Sequence, residues 1–239
     1  MEFESFTSKG NIRENNEDNF LIKHEPFPLI VVADGMGGHK AGDVASQVAV
    51  DLIKNYEFEF DKEILDEVED LINMVNREII NLGSKNPEYK GMGTTLSLAL
   101  IYNNKLYIGH IGDSRIYIYR NANLEKITTD DSLVNELIEN GKISKGEAFN
   151  HPQKHILTQA LGTDFTINIE NKIIELNDND ILLFCTDGLT DMIREEKIEE
   201  IITNNFSDIN ILTKKLGKKA LENGGSDNIT LITGIINLR

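Results

Sequence analysis

Cysteine is almost absent from this chain. Cys185 is the only one, which excludes an intramolecular disulfide and a cysteine-cluster metal site and suits a reducing cytoplasm. Embedded in the apolar run "ILLFC", its thiol is expected to be a small buried hydrophobe, because reactive thiols need electropositive, accessible surroundings. Long apolar runs are missing too. "LIVVA" and "DILLFC" fall well short of the roughly 20 residues of a membrane-spanning helix, and "MEFESFTSKG" lacks the basic-then-apolar order of a signal peptide. A soluble, unexported protein with no membrane partner is expected. Positive charge is scarce as well: 24 Lys and Arg stand against 40 Asp and Glu, a net charge of −16. That balance disfavours nonspecific binding to nucleic acid and obliges a phosphate-handling site to find local positive charge. No Pro-, Ser- or Gly-rich linker divides the chain, so residues 1–239 are expected to form one domain with a substantial core.

What is present is an alternation of short apolar runs with longer amphipathic stretches. Ile64, Leu65, Val68, Leu71, Ile72, Val75 and Ile79 recur at helical steps, predicting a helix over 61–82 that ends near Gly83. Further helices are expected at 41–56, 195–204 and 208–222. Strands are expected at 2–8, 19–23, 29–33, 94–102, 105–111, 115–120, 166–175, 180–186 and 228–236, with "NN" and "GDS" as hairpin turns. Many of these strands lie close enough in sequence to pair antiparallel while the long helices are grouped, which predicts an α+β fold of two mainly antiparallel sheets with helices outside. Residues 128–165 read differently, as short helical pieces broken at His151 and Pro152, and form either a candidate flap over a site or an ordinary helical insertion on the sandwich.

Four aspartates stand at strand ends. Asp34 closes "LIVVAD", Asp187 closes "ILLFCTD", Asp113 lies in the turn of "HIGDSRIYIY", and Asp227 precedes the last strand in "GGSDNITLIT". Antiparallel pairing can gather all four at one edge of the sheets. Two carboxylates about 4 Å apart repel by roughly 4 kcal/mol at an effective dielectric near 20, so a cluster calls for protonation or cations. Oxygen-only ligands favour Mg²⁺ or Mn²⁺ over zinc. For any single Asp the alternative is a turn former or helix cap. "DGMGGHKAGD" fits neither a Walker loop nor a dinucleotide fingerprint; the freedom of Gly35 is expected to turn its carbonyl towards a metal held by Asp34, and His39 and Lys40 read as loop surface or anion contacts.

Taken together, "RENNEDNF", "VVADGMGGHKAGDVAS", "GMGTTL", "HIGDSRIYIYR", "HPQKHILTQALG", "CTDGLTD" and "GGSDNITLI" resemble the bacterial branch of the type 2C, metal-dependent protein phosphatases. The order is that of the family and spans essentially the whole chain. The resemblance implies a four-layer αββα sandwich hydrolysing phosphoserine and phosphothreonine in proteins, with a water activated between two Mn²⁺ or Mg²⁺ ions. It implies that Asp34 bridges both metals, that the Gly35 carbonyl binds one, and that Asp187 and Asp227 hold the other. Asp113, with Asp187, matches a third, weaker metal position. Glu17 and Asp18 match acidic positions that support the site through water, and Arg13 matches the arginine that grips the substrate phosphate, a task its bidentate fork suits. Thr94, Thr95, Ser114 and Arg115 are assigned to scaffold hydrogen bonding.

One departure concerns Met36. Eukaryotic members carry a histidine there as a candidate acid for the leaving group, so His39, His151, His155 or a metal-bound water is expected to serve. The partners implied are phosphoproteins, including a Ser/Thr kinase and its targets, and a monomer is expected. The rival readings are a phosphatase dedicated to one regulatory partner and an inactive binding module; loss of a ligand Asp would mark the latter, and all four are present.

Overall fold

The computed structural model describes residues 1–37, 41–60 and 62–238. Two antiparallel sheets stack face to face. One contains, in spatial order, β1 (Glu2–Ser8), β11 (Ile229–Ile235), β10 (Ile181–Cys185), β7 (Arg115–Arg120) and β8 (Asn123–Lys126). The other contains β2 (Asp18–Lys23), β3 (Leu29–Met36), β5 (Leu96–Tyr102), β6 (Lys105–Ile111) and β9 (Glu170–Glu175), with the short β4 (Gly93–Thr94) paired to the end of β3.

The continuous apolar runs exist because these strands are buried on both faces. Along β3, Leu29, Val31 and Ala33 pack outward beneath α1 (Ala41–Lys54) and α2 (Ile64–Lys85), whereas Ile30 and Val32 point between the sheets. Along β10, Ile181, Leu183 and Cys185 face α6 (Glu195–Thr203) and α7 (Ile209–Glu222), whereas Leu182 and Phe184 point between the sheets. Strand periodicity thus produces three hydrophobic layers and the four-layer order helix, sheet, sheet, helix, the fold expected from the resemblance.

Several boundaries differ from the sequence expectation. Helix α2 runs through Gly83 to Lys85 and is closed by the extended Asn86 before Pro87, because a proline restrains the residue before it to extended backbone. The start expected at residue 61 lies outside the described residues. The strand expected at 94–102 is interrupted at Thr95, whose amide turns aside to the Asp34 carbonyl. That expected at 166–175 begins only at Glu170, where pairing with β6 starts. β8 was not expected; Asn121 and Ala122, both at positive φ, turn the chain from β7 into it.

The largest correction concerns "GDS". "NN" is a hairpin turn, with Asn103 and Asn104 at positive φ between β5 and β6. Residues 112–114 instead carry the chain from β6 in one sheet to β7 in the other, so Asp113 sits on a crossover between sheets. The expected flap contains α3 (Leu133–Glu139) and α4 (Lys145–Ala148), and bridges at Ser132–Leu157 and Thr94–Leu161 tie its ends to the body.

Candidate metal centre

One edge of the sandwich opens into a cleft of about 600 Å³ lined by Arg13, Glu17, Asp34, Gly35, Met36, Asp113, His155, Asp187 and Asp227, among others. The four aspartates singled out from the sequence converge there as antiparallel pairing allows. Asp34 lies within β3, because β3 continues through Met36 by pairing Gly35 with Thr94 and Met36 with Gly93. Opposite it on β2 stands Asp18. Asp187 opens the single turn α5 (Asp187–Thr190) after β10, and Asp227 immediately precedes Asn228 and β11.

The glycine after each of two aspartates has a packing reason. A Cβ on Gly35 would collide with the Gly42 carbonyl of α1, and one on Gly188 with the Asn228 carbonyl. Neither glycine has positive φ, so the conformational freedom expected of Gly35 gives way to close backbone approach. The scaffold is hydrogen-bonded as expected: Thr94 Oγ1 donates to the Asp34 carbonyl at 2.9 Å, the Asp34 amide donates to Thr95 Oγ1 at 2.9 Å, and Thr95 Oγ1 lies 2.8 Å from Ser114 Oγ. Arg115 grips Asp130 through Nε and Nη2, down to 2.7 Å, where Lys126 also binds.

The carboxylates themselves are poorly satisfied. Asp34 and Asp113 accept no side-chain hydrogen bond among the described residues. Oδ1 of Asp18 and Oδ1 of Asp187 are buried without a partner, while Oδ2 of Asp18 accepts from Thr186 Oγ1 at 2.9 Å. Burial, and then the charges of Asp18, Asp187, Asp113 and Asp227, lift the Asp34 pKa well above the carboxylate range. Burial and the Asp187 charge do the same to Asp113. Asp18 is pushed up to about 7, chiefly by burial, and Asp227 is raised by burial and Asp187. Orphaned oxygens and mutual repulsion in an all-oxygen set are what hard divalent cations relieve. The residues present therefore fit a centre for Mn²⁺ or Mg²⁺.

Arg13, half exposed, donates Nη2 to Asp227 at 2.8 Å. Asn228 steadies the segment carrying Arg13 and Glu17: its side chain accepts the Glu17 amide at 2.8 Å and donates to the Lys9 and Asn15 carbonyls. The Glu17 carbonyl accepts from Ser46 of α1. Asn228 escaped the sequence reading although it follows Asp227, because its role is long-range hydrogen bonding. Asp191 escaped it too. It lies one helical turn after Asp187, and its Oδ2 is 3.0 Å from Lys154 Nζ and 3.4 Å from His155 Nδ1. A ligand atom from each of His155, Asp187 and Asp191 falls within 4.8 Å of the others. Of the candidate acids, His155 lines the cleft, His151 accepts the Gln153 amide, and His39, like Lys40, lies outside the described residues.

A family model described as protein phosphatase 2C matches residues 9–222. The serine/threonine phosphatase stp of Listeria monocytogenes serotype 4b is 39% identical over 242 residues, which cover 97% of this chain and 94% of that protein. The crystal structure of the Mycobacterium tuberculosis serine/threonine phosphatase PstP/Ppp aligns with a TM-score of 0.92 at 32% identity, covering 99% of each chain. The PstP catalytic domain in complex with 2 manganese ions aligns at 0.88 and 30% identity, covering 99% of this chain and 98% of that one.

Proposed function

From its membership of the protein phosphatase 2C family, a family of metal-dependent protein serine/threonine phosphatases, we infer how this chain divides the work of dephosphorylation among its residues. The observation that carries the assignment is the convergence of Asp18, Asp34, Asp113, Asp187 and Asp227, partly orphaned and mutually repelling, at one edge of the sandwich. Asp34 and the Gly35 carbonyl would hold one divalent cation, Asp34 with Asp187 and Asp227 a second, and Asp113 with Asp187 a third, more weakly. Cations held there would supply an acidified water as the nucleophile and would compensate the charge of the phosphoryl oxygens.

The chain's own groups orient and exclude. Arg13 carries the phosphate contact: one of its N–H groups is engaged by Asp227, leaving other donors of the fork for a phosphoryl oxygen. Asp18, paired across strands with Asp34 and fixed by Thr186, and Glu17 support the ligands from behind. Met36 offers no proton, and His155 is the described histidine that lines the cleft.

Residues 1–239 constitute one catalytic domain with 128–165 as a flap, acting as a monomer on phosphoproteins and opposing a Ser/Thr kinase. Magnesium serves as an alternative to manganese because the ligand set is all oxygen. No helix among the described residues is long and apolar enough to cross a membrane; the lone buried thiol of Cys185 supports a cytoplasmic setting.

The test is turnover of a phosphothreonine peptide by the wild-type chain with Mn²⁺, with chelator, and by Asp187→Asn with Mn²⁺. Loss of turnover in the last two is expected. Persistent turnover in chelator, or an undiminished Asp187→Asn enzyme, refutes the metal assignment.

A further inference from the structure

Among the buried titratable groups that the proposed chemistry leaves unused, His110 stands out by its connections. It lies near the end of β6, fully buried. Its Nδ1 is 2.8 Å from Ser97 Oγ, and its Nε2 is 3.1 Å from the Gly112 carbonyl and 3.1 Å from the Thr129 carbonyl. Carbonyl oxygens only accept, so Nε2 must carry the proton; in the neutral ring Nδ1 is then an acceptor for the Ser97 hydroxyl, which also lies 3.2 Å from the Ser114 carbonyl. Burial lowers the imidazole pKa, with Glu170, Asp130 and Asp131 opposing, consistent with a neutral ring of one tautomer.

The two carbonyls belong to different functional parts. Gly112 starts the crossover that carries Asp113, and Thr129 lies at the start of the flap. The same junction is stitched on its other side: the Gly112 amide donates to Asp131 Oδ2 at 2.9 Å, the Asp131 amide returns to the Gly112 carbonyl at 2.8 Å, and the Thr158 amide, on the returning limb of the flap, donates to the Asp131 carbonyl at 2.9 Å. Gly112 has φ +102, and a Cβ there would press on the Thr95 side chain, so the crossover has one tight path. The Asp113 carboxylate accepts no hydrogen bond among the described residues. Its position is therefore set by the backbone on either side of it.

We propose that His110 is a positioning residue: its single Nε2–H clips the Asp113 crossover to the root of the flap and thereby fixes the Asp113 carboxylate against Asp187. The proposal rests on the assignment of Asp113 to the weaker cation position. His110 touches neither substrate nor cation. Its loss leaves the Asp34, Asp187 and Asp227 ligands in place and loosens only the fourth.

The test compares wild type, His110→Ala, His110→Gln and Asp113→Asn by Mn²⁺ binding, read as free Mn²⁺ by electron paramagnetic resonance, together with KM for a phosphopeptide at saturating Mn²⁺ and the melting temperature. Asp113→Asn is expected to remove the weakest class of bound Mn²⁺. His110→Ala is expected to weaken that class about fivefold, the fold-change one neutral hydrogen bond is worth, with KM within about twofold of wild type. His110→Gln, whose amide N–H reaches towards the Nε2 position, is expected to regain most of the loss. A lower melting temperature in His110→Ala with unchanged Mn²⁺ binding would reduce His110 to a structural role and overturn the proposal, as would a Gln variant no better than Ala. If Asp113→Asn leaves every class of Mn²⁺ intact, the assignment of Asp113 fails and the proposal with it. Should His110→Ala not fold, histidine-selective ¹⁵N NMR of the wild-type protein in Mg²⁺ decides: a proton on His110 Nε2 is expected between pH 6 and 8, and a neutral Nδ1–H tautomer, which leaves Nε2 bare, overturns the clip.

Discussion

Raising the pH of the metal-free protein should destabilise it, and Asp18 allows the size of the effect to be worked out. Its carboxyl is 5% exposed, has one oxygen without a partner, and is pushed from 3.8 up to about 7. The folded state therefore binds a proton that the unfolded state has already lost, and stability falls as pH rises from the unfolded towards the folded value. Between pH 5 and pH 7 this one group costs about 2 kcal/mol, taking ~1.4 kcal/mol per unit and allowing for partial ionisation at each end. Asp34, Asp113 and Asp227, raised for the same reasons, add in the same direction. For a chain of this length the Asp18 share alone corresponds to a fall in melting temperature of about 4–8 °C. The assay is thermal unfolding in chelator at intervals across that window, for wild type and Asp18→Asn. The slope should flatten in Asp18→Asn. Saturating Mn²⁺ should reverse it, since cations bind the deprotonated ligands and stabilise by mass action. A melting temperature that is flat or rising in chelator, or an Asp18→Asn variant that keeps the full wild-type slope, would refute the reasoning.

Three further perturbations bear on neighbouring features. Gly42→Ala introduces a Cβ against the Gly35 backbone and Glu17; turnover should drop at least tenfold while far-ultraviolet circular dichroism stays native, and a fully active Gly42→Ala enzyme would show that α1 does not need to approach Gly35 so closely. Arg13→Ala should raise KM for a small phosphoester several-fold with a smaller change in kcat, measured at saturating Mn²⁺; an unchanged KM moves the phosphate contact elsewhere. Cys185, buried and pushed up to about 12 mainly by burial, should resist a maleimide reagent in the native protein and label fully in denaturant, and rapid native labelling would contradict its packing between β10 and the α6–α7 layer.

The parts of the molecule legible in the sequence are those whose local pattern has one physical meaning. "LIVVA" and "ILLFC" could only be strands buried on both sides or pieces of buried helix, and their length and β-branched content favoured strands; the structure places their alternate residues in different hydrophobic layers. Helix α2 was legible from its apolar stripe. Its end was misread because Gly83 is a weaker stop than the Asn86–Pro87 pair. "NN" and "GDS" sit between similarly alternating segments, yet one closes a hairpin and the other crosses between sheets. Nothing in the strands of six or seven residues on either side distinguishes them, since the choice of sheet is made by the layers that β6 and β7 each help to bury.

The same distinction explains the site. Each candidate ligand aspartate was conspicuous alone because it interrupts or borders an apolar run, whereas the contacts that surround the site join residues far apart: Arg13 to Asp227, Asp18 to Thr186, Asn228 to Glu17. Their separations of 214, 168 and 211 residues lie beyond periodicity and spacing, so the motif order had to stand in for them. His110 shows where that substitution stops. It lies three residues before Asp113 in "HIGDSRIYIYR", and it would pass as one more inward position of β6. Only the placement of two carbonyls from separate segments against one ring nitrogen distinguishes a core histidine that fills space from one that fixes where a carboxylate stands.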